Sequence, residues 1–107
     1  AKVQAEGGIV QGIGMALYEE VRYSQAGQLE TNNFMLYKIP DRTDTGKVTV
    51  DFVESYEPTG AFGVKSIGEV VINTSCPAIQ GAILNACGAE PTELPMIPEV
   101  VFEAMHK

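Results

Sequence analysis

The segment Gly63-Val64-Lys65-Ser66-Ile67-Gly68-Glu69 sets a carboxylate beside a residue without Cβ. It is entered through Glu57-Pro58-Thr59-Gly60 and runs straight into apolar Val70-Val71-Ile72. A large partner can approach closely at a glycine, and apolar neighbours that strip water from a carboxylate make it a better base near neutral pH. That is what a general base needs. A loop glutamate taken alone is more often a solvated surface residue, so the case for Glu69 depends on the rest of the chain.

Other reactive side chains offer little. Cys76 and Cys87 fall in one expected helix, about three turns apart and without Cys-x-x-Cys spacing, which predicts buried reduced thiols and neither a zinc site nor a disulfide. His106 sits beside the C-terminal residue, leaving no internal Ser-His or Cys-His pair. Asn73-Thr74-Ser75 matches the glycosylation pattern but reads as the start of a helix.

The charge balance excludes further classes. With 14 acidic and 7 basic residues the net charge is -7, which argues against nucleic acid and against an anionic membrane surface as partners. No apolar run is long enough to span a bilayer and no signal pattern opens the chain, so a cytoplasmic setting is expected. The chain has no initiator Met and starts as if within an element, so it reads as a fragment of a longer parent. Its 107 residues, 45% hydrophobic and 20% charged, suit one domain, 1–107, with a modest core.

The elements that must position Glu69 follow from periodicity. Ile9, Ile13, Leu17 and Val21 recur at i, i+4, predicting a helix over 6–20 with one apolar stripe. Gly7, Gly8, Gly12 and Gly14 lie within it, each costing about 1 kcal/mol against alanine, so something packs close to that backbone. The candidates are a neighbouring strand or a cofactor. A helix end at Gln4-Ala5-Glu6-Gly7-Gly8 would also favour an anion such as phosphate. Residues 21–24 and 28–31 around Gln25-Ala26-Gly27 predict a hairpin, and alternating Val48, Val50 and Phe52 predict a half-buried strand through about Glu54.

Beyond the Glu69 loop, Thr74 or Ser75 should cap a helix with Pro77 in its first turn, Gly88 at its end, and Ala78, Ile79, Ala82, Ile83 and Ala86 on its buried side. Pro98 opens a last helix. The expected class is α+β: an N-terminal Gly-rich helix, an antiparallel hairpin and central strand, and two further C-terminal helices.

Several motifs together carry a resemblance. Gln4-Ala5-Glu6-Gly7-Gly8-Ile9-Val10-Gln11-Gly12, Thr31-Asn32-Asn33-Phe34, Tyr37-Lys38-Ile39-Pro40 and Lys65-Ser66-Ile67-Gly68-Glu69, in this order, resemble the C-terminal part of the molybdopterin-binding (molybdenum) subunit of the xanthine dehydrogenase and aldehyde oxidase family. The resemblance covers essentially the whole chain. It implies a piece of a larger molybdenum-cofactor-binding domain, in an oxidoreductase that hydroxylates a purine, another N-heterocycle or an aldehyde with water-derived oxygen.

By the same resemblance, Glu69 matches the catalytic glutamate, a general base on a molybdenum-bound hydroxyl while hydride passes to a sulfido ligand. Gln4 matches a glutamine that contacts the pyrophosphate of the pterin, and Gly68 the glycine that lets the metal centre come near. No protein side chain is expected to ligate the metal. The implied partners are the remaining segments of the molybdenum subunit, iron-sulfur and FAD subunits or domains, and a small-molecule substrate. One departure is Val70, where the family commonly has proline after Gly-Glu; it leaves an additional N–H beside the carboxylate. The alternative is a non-catalytic module for cofactor transfer or subunit packing. The fragment alone is expected to be inactive and to favour self-association.

Overall fold

The computed structural model describes residues 1–107. Four α-helices follow in chain order, α1 (Lys2–Leu17), α2 (Arg42–Thr45), α3 (Ser75–Cys87) and α4 (Pro98–Ala104), with a 3-10 turn at Ala61–Gly63. None is long and apolar enough to cross a membrane.

Helix α1 already begins at Lys2 rather than at Glu6, so its glycines lie within it. What keeps it helical despite them is packing on one face. The buried positions are Ala5, Gly8, Gly12, Gly14 and Ala16, whereas Ile9, Ile13 and Leu17 are only half-buried and Val21 is exposed. Ala5, Gly8, Gly12 and Ala16 recur every three or four residues and so share one side of the helix. A methyl group on Gly8 would overlap the Val71 side chain, and one on Gly12 would begin 2.5 Å from Ser75 Cβ and Oγ and 3.0 Å from the Ile72 carbonyl oxygen. The close neighbour of Gly8 and Gly12 is therefore the start of α3 and the turn before it, not a strand.

Helix α3 carries Pro77 in its first turn and ends at Gly88 in the left-handed conformation, φ 74°, whose N–H donates to Leu84 O. Its expected apolar side is not enclosed: Ala78, Ala82 and Ala86 are exposed, Ile79 and Ile83 half-buried, and Ser75 is the buried residue. The expectation of buried thiols fails likewise at Cys87, which is exposed; Cys76 is half-buried, and both are free. Helix α4 opens on Pro98. The segment between α3 and α4 is held by Met96 N–H donating to Ala16 O at 2.7 Å and by Gln80 Nε2 donating to Pro91 O at 2.7 Å.

The α+β expectation is overturned, because the chain contains no sheet. In place of the antiparallel hairpin there is one isolated bridge, Tyr23 to Leu29, closed through Gly27 at φ 77°. In place of the central strand, Lys47 to Tyr56 makes no backbone hydrogen bond within the chain, and Phe52 and Val53 are 53% and 95% exposed. Alternation supplies one face for a pairing but no partner, and a two-stranded ribbon without a covering layer adds little stability.

The modest core of an ordinary domain is not enclosed either. Only 13 of 107 residues are buried, and apart from Pro40, Pro91 and Pro95 the apolar side chains among them are Ala5, Ala16, Ala89 and Met96. The radius of gyration is 17.2 Å, against about 13 Å for a closed domain of this length.

Candidate functional site

The loop leading to Glu69 is built by short-range bonds. Glu57 N–H donates to Gly63 O at 3.0 Å, Gly60 N–H to Glu57 O at 3.1 Å and Gly63 N–H to Gly60 O at 3.0 Å. The Glu57 carboxylate takes the Thr59 N–H at 3.1 Å and the Thr59 hydroxyl at 2.6 Å, and these bonds hold its carboxyl below the usual range. Tyr56 lies over Gly63, where a Cβ would run into its ring, and this closure leaves Phe62 in the left-handed region at φ 54° with its ring fully exposed.

Two carboxylates thus sit on this stretch in different conditions. That of Glu57 is committed to Thr59. That of Glu69 has no hydrogen bond or ion pair within the chain and is exposed, so both its oxygens are free to accept a proton. The desolvation expected from Val70-Val71-Ile72 does not arise here: Val70 is 58% exposed, while Val71 and Ile72 turn toward α1. Gly68 is open, with nothing within 4 Å of where a Cβ would stand.

The backbone of Glu69 is fixed more firmly than its side chain. Ile72 N–H donates to Glu69 O at 3.0 Å and Ser75 N–H to Ile72 O at 3.2 Å, two consecutive turns that run into α3. Val70 stands second in the first of these turns, and its N–H is unused. There the chain meets α1. Ser75 Oγ donates to Ile9 O at 3.3 Å, and Cys76 Sγ reaches Gly12 O at 3.9 Å. The cap expected at Thr74 or Ser75 is found in position but not in its side-chain bond. Thr74 is the N-cap residue but makes no capping bond, and the Ser75 hydroxyl is drawn off to α1 because the Gly12 surface admits it.

Gln4 is exposed on the first turn of α1, one helical turn, about 6 Å, before Gly8 on the same face. Gly8 covers Val71, two residues past Glu69 in the sequence, so Gln4 and Glu69 flank a single helix-to-turn contact. The helix end lies earlier than expected, at Lys2, so Gln4 is in the first turn, whereas Glu6, Gly7 and Gly8 lie inside α1 with their N–H groups directed along it. What Gln4 offers is its side-chain amide, two N–H donors and an acceptor. Sequence reasoning missed Ser75 as part of this arrangement; the only sign of it was a small hydroxyl residue where a glycine-rich face needed a partner.

Comparison with known proteins agrees across the chain. A family model described as a molybdopterin cofactor-binding domain matches residues 1–46. The chain is 36% identical over 107 residues to the xanthine dehydrogenase molybdenum-binding subunit of Escherichia coli O157:H7, covering 99% of this chain and 14% of that protein. It is 36% identical over 104 residues to the nicotine 6-hydroxylase large subunit of Paenarthrobacter nicotinovorans, covering 94% of this chain and 13% of that one. Among solved structures, quinoline 2-oxidoreductase from Pseudomonas putida 86 superposes with a TM-score of 0.86 at 31% identity, over 98% of this chain and 14% of that chain. The chain thus spans about one seventh of the length of the relatives it matches.

Proposed function

Because the chain belongs to the family of molybdopterin-binding subunits of xanthine dehydrogenases and aldehyde oxidases, we propose that it is the base-bearing, cofactor-contacting piece of a molybdenum hydroxylase. Its substrate class is an N-heterocycle, a purine or an aldehyde, and electrons leave through iron-sulfur and flavin centres carried elsewhere in that enzyme.

The observation that carries this reading is the joint between α1 and the Glu69 turn. It ties α1, whose first turn carries the exposed Gln4, to the turn that begins at the exposed Glu69, and this supports the reading. These residues fit the cofactor. Gln4 presents an unpaired amide suited to phosphoryl oxygens, and the open backbone at Gly68 lets a bulky group approach Glu69 closely.

When bound, molybdopterin supplies the two-electron redox chemistry. The chain's own residues hold and deprotonate. The Gln4 amide would donate to the pyrophosphate portion of the cofactor, and Gly68 would leave the approach clear. A Glu69 carboxylate oxygen would take the proton of the water-derived oxygen nucleophile as that oxygen bonds to the electron-poor carbon, and the hydrogen and electron pair of the C–H bond that breaks would go to the redox chemistry the cofactor supplies. Enclosure by the assembled enzyme would supply the desolvation that this chain alone does not.

The test is Glu69→Gln in the intact enzyme. Molybdenum content stays unchanged while kcat falls by about 10²–10⁴-fold. Near-normal turnover would refute the base assignment and leave a packing or cofactor-transfer module.

A further inference from the structure

We propose that Ser75 is a positioning residue for the Glu69 carboxylate, setting the register of the Glu69 turn on the helix that carries Gln4. This deepens the reading above and rests on it.

Ser75 and Cys76 make the only hydrogen bonds between residues 57–87 and α1, and of the two only Ser75 is buried, at 7% exposure. Its position does two things. Cβ and Oγ occupy the space beside Gly12, 2.5 Å from where a Gly12 methyl would begin. The hydroxyl also donates to the Ile9 carbonyl oxygen at 3.3 Å, using the lone pair that the intrahelical bond leaves open. From Ser75 the coupling back to Glu69 is direct: Ser75 N–H to Ile72 O, then Ile72 N–H to Glu69 O. Ile9 in turn is five residues from Gln4 along a rigid helix, about 7.5 Å. One hydroxyl therefore ties the turn that aims the base to the element proposed to hold the cofactor. Without it, the turn keeps only the longer Cys76 Sγ to Gly12 O contact and the packing of Val71 and Ile72 on Gly8.

The experiment is made on the intact enzyme with Ser75→Ala, Ser75→Thr, Glu69→Gln and the Ser75→Ala/Glu69→Gln double variant. Ser75→Ala should retain its molybdenum and its KM while kcat drops about 10- to 100-fold, the scale of a misplaced catalytic group. Ser75→Thr, which keeps the donor, should recover most of that loss. Amide hydrogen exchange at Ile72 and Ser75 should quicken several-fold in Ser75→Ala, with the α1 amides unchanged. In the Glu69→Gln background, Ser75→Ala should cost nothing further, because the group it positions is already gone.

An equal loss in both backgrounds overturns the proposal and makes Ser75 a structural residue. So does loss of molybdenum, or failure of both Ser75→Ala and Ser75→Thr to yield loaded enzyme. Normal kcat in Ser75→Ala beside a disabled Glu69→Gln removes Ser75 alone. Normal kcat in Glu69→Gln removes the underlying assignment instead.

Discussion

Ser75 fills the space that a side chain at Gly12 would need. Its Cβ and Oγ lie 2.5 Å from the point where a Gly12 methyl would start, and the hydroxyl continues past it to the Ile9 carbonyl. The glycine and the serine make one joint, and the glycines of α1 differ in consequence according to whether they belong to it.

Gly12→Ala should therefore destabilise the protein by about 1–3 kcal/mol, because the new methyl meets a tethered side chain and the Ile72 carbonyl oxygen 3.0 Å away. Gly7→Ala, with nothing within 4 Å, should instead gain up to about 1 kcal/mol of helix stability. Differential scanning of the two variants checks the contrast; the same sign in both would contradict the packing described.

Val70→Pro should be tolerated. Val70 is the second residue of the turn closed by Ile72 N–H on Glu69 O, a position proline favours, and its N–H has no partner to lose. A gain of about 0.5–1 kcal/mol is expected from the stiffer unfolded chain. Turnover should be retained, and a collapse of either would mean that the Val70 N–H has a partner in the assembled enzyme.

Tyr37 should make stability fall at alkaline pH. Its hydroxyl donates to Glu19 Oε2 at 2.6 Å, and this bond, with some desolvation and the repulsion of the Glu19 charge, holds the phenol above its ordinary 10.0. A raised folded-state value means that the contribution is complete below about pH 10.0 and disappears as pH climbs through the folded value. Melting midpoints of the native protein and Tyr37→Phe should differ near neutrality and draw together only as pH rises from 10.0 through the higher folded value; a gap that does not narrow over that rise would argue against the bond.

Phe62→Asn should stabilise the chain by up to about 1 kcal/mol, since asparagine tolerates the left-handed backbone better than phenylalanine. Phe62 holds φ 54° with its ring fully exposed, so nothing within the chain offsets that cost. Urea unfolding is the measurement, and a loss on substitution would show that the ring is covered in the intact protein.

How far the sequence could be read depends on the range of each interaction. Pro77 and Gly88 bounding α3, Pro98 opening α4 and the glycine content of α1 act through local backbone geometry and were legible directly. Glu69, Gln4 and Gly68 were nominated by motif, and the structure adds where they stand, Glu69 and Gln4 exposed and Gly68 open. The strand expected at Val48 to Glu54 was misread because alternation describes a face, whereas a strand exists only if a distant segment supplies the hydrogen bonds. The face of α1 was misjudged for a related reason. Apolar bulk pointed to Ile9, Ile13 and Leu17, but the approach of the turn before α3 selects the side with the least bulk, Ala5, Gly8, Gly12 and Ala16. By itself the sequence determined helices α1, α3 and α4 and the family, and it nominated Glu69. Only the tertiary structure decided which helix face is buried and that Ser75 reaches Ile9, because a hydrogen bond between residues 66 positions apart depends on how two surfaces meet.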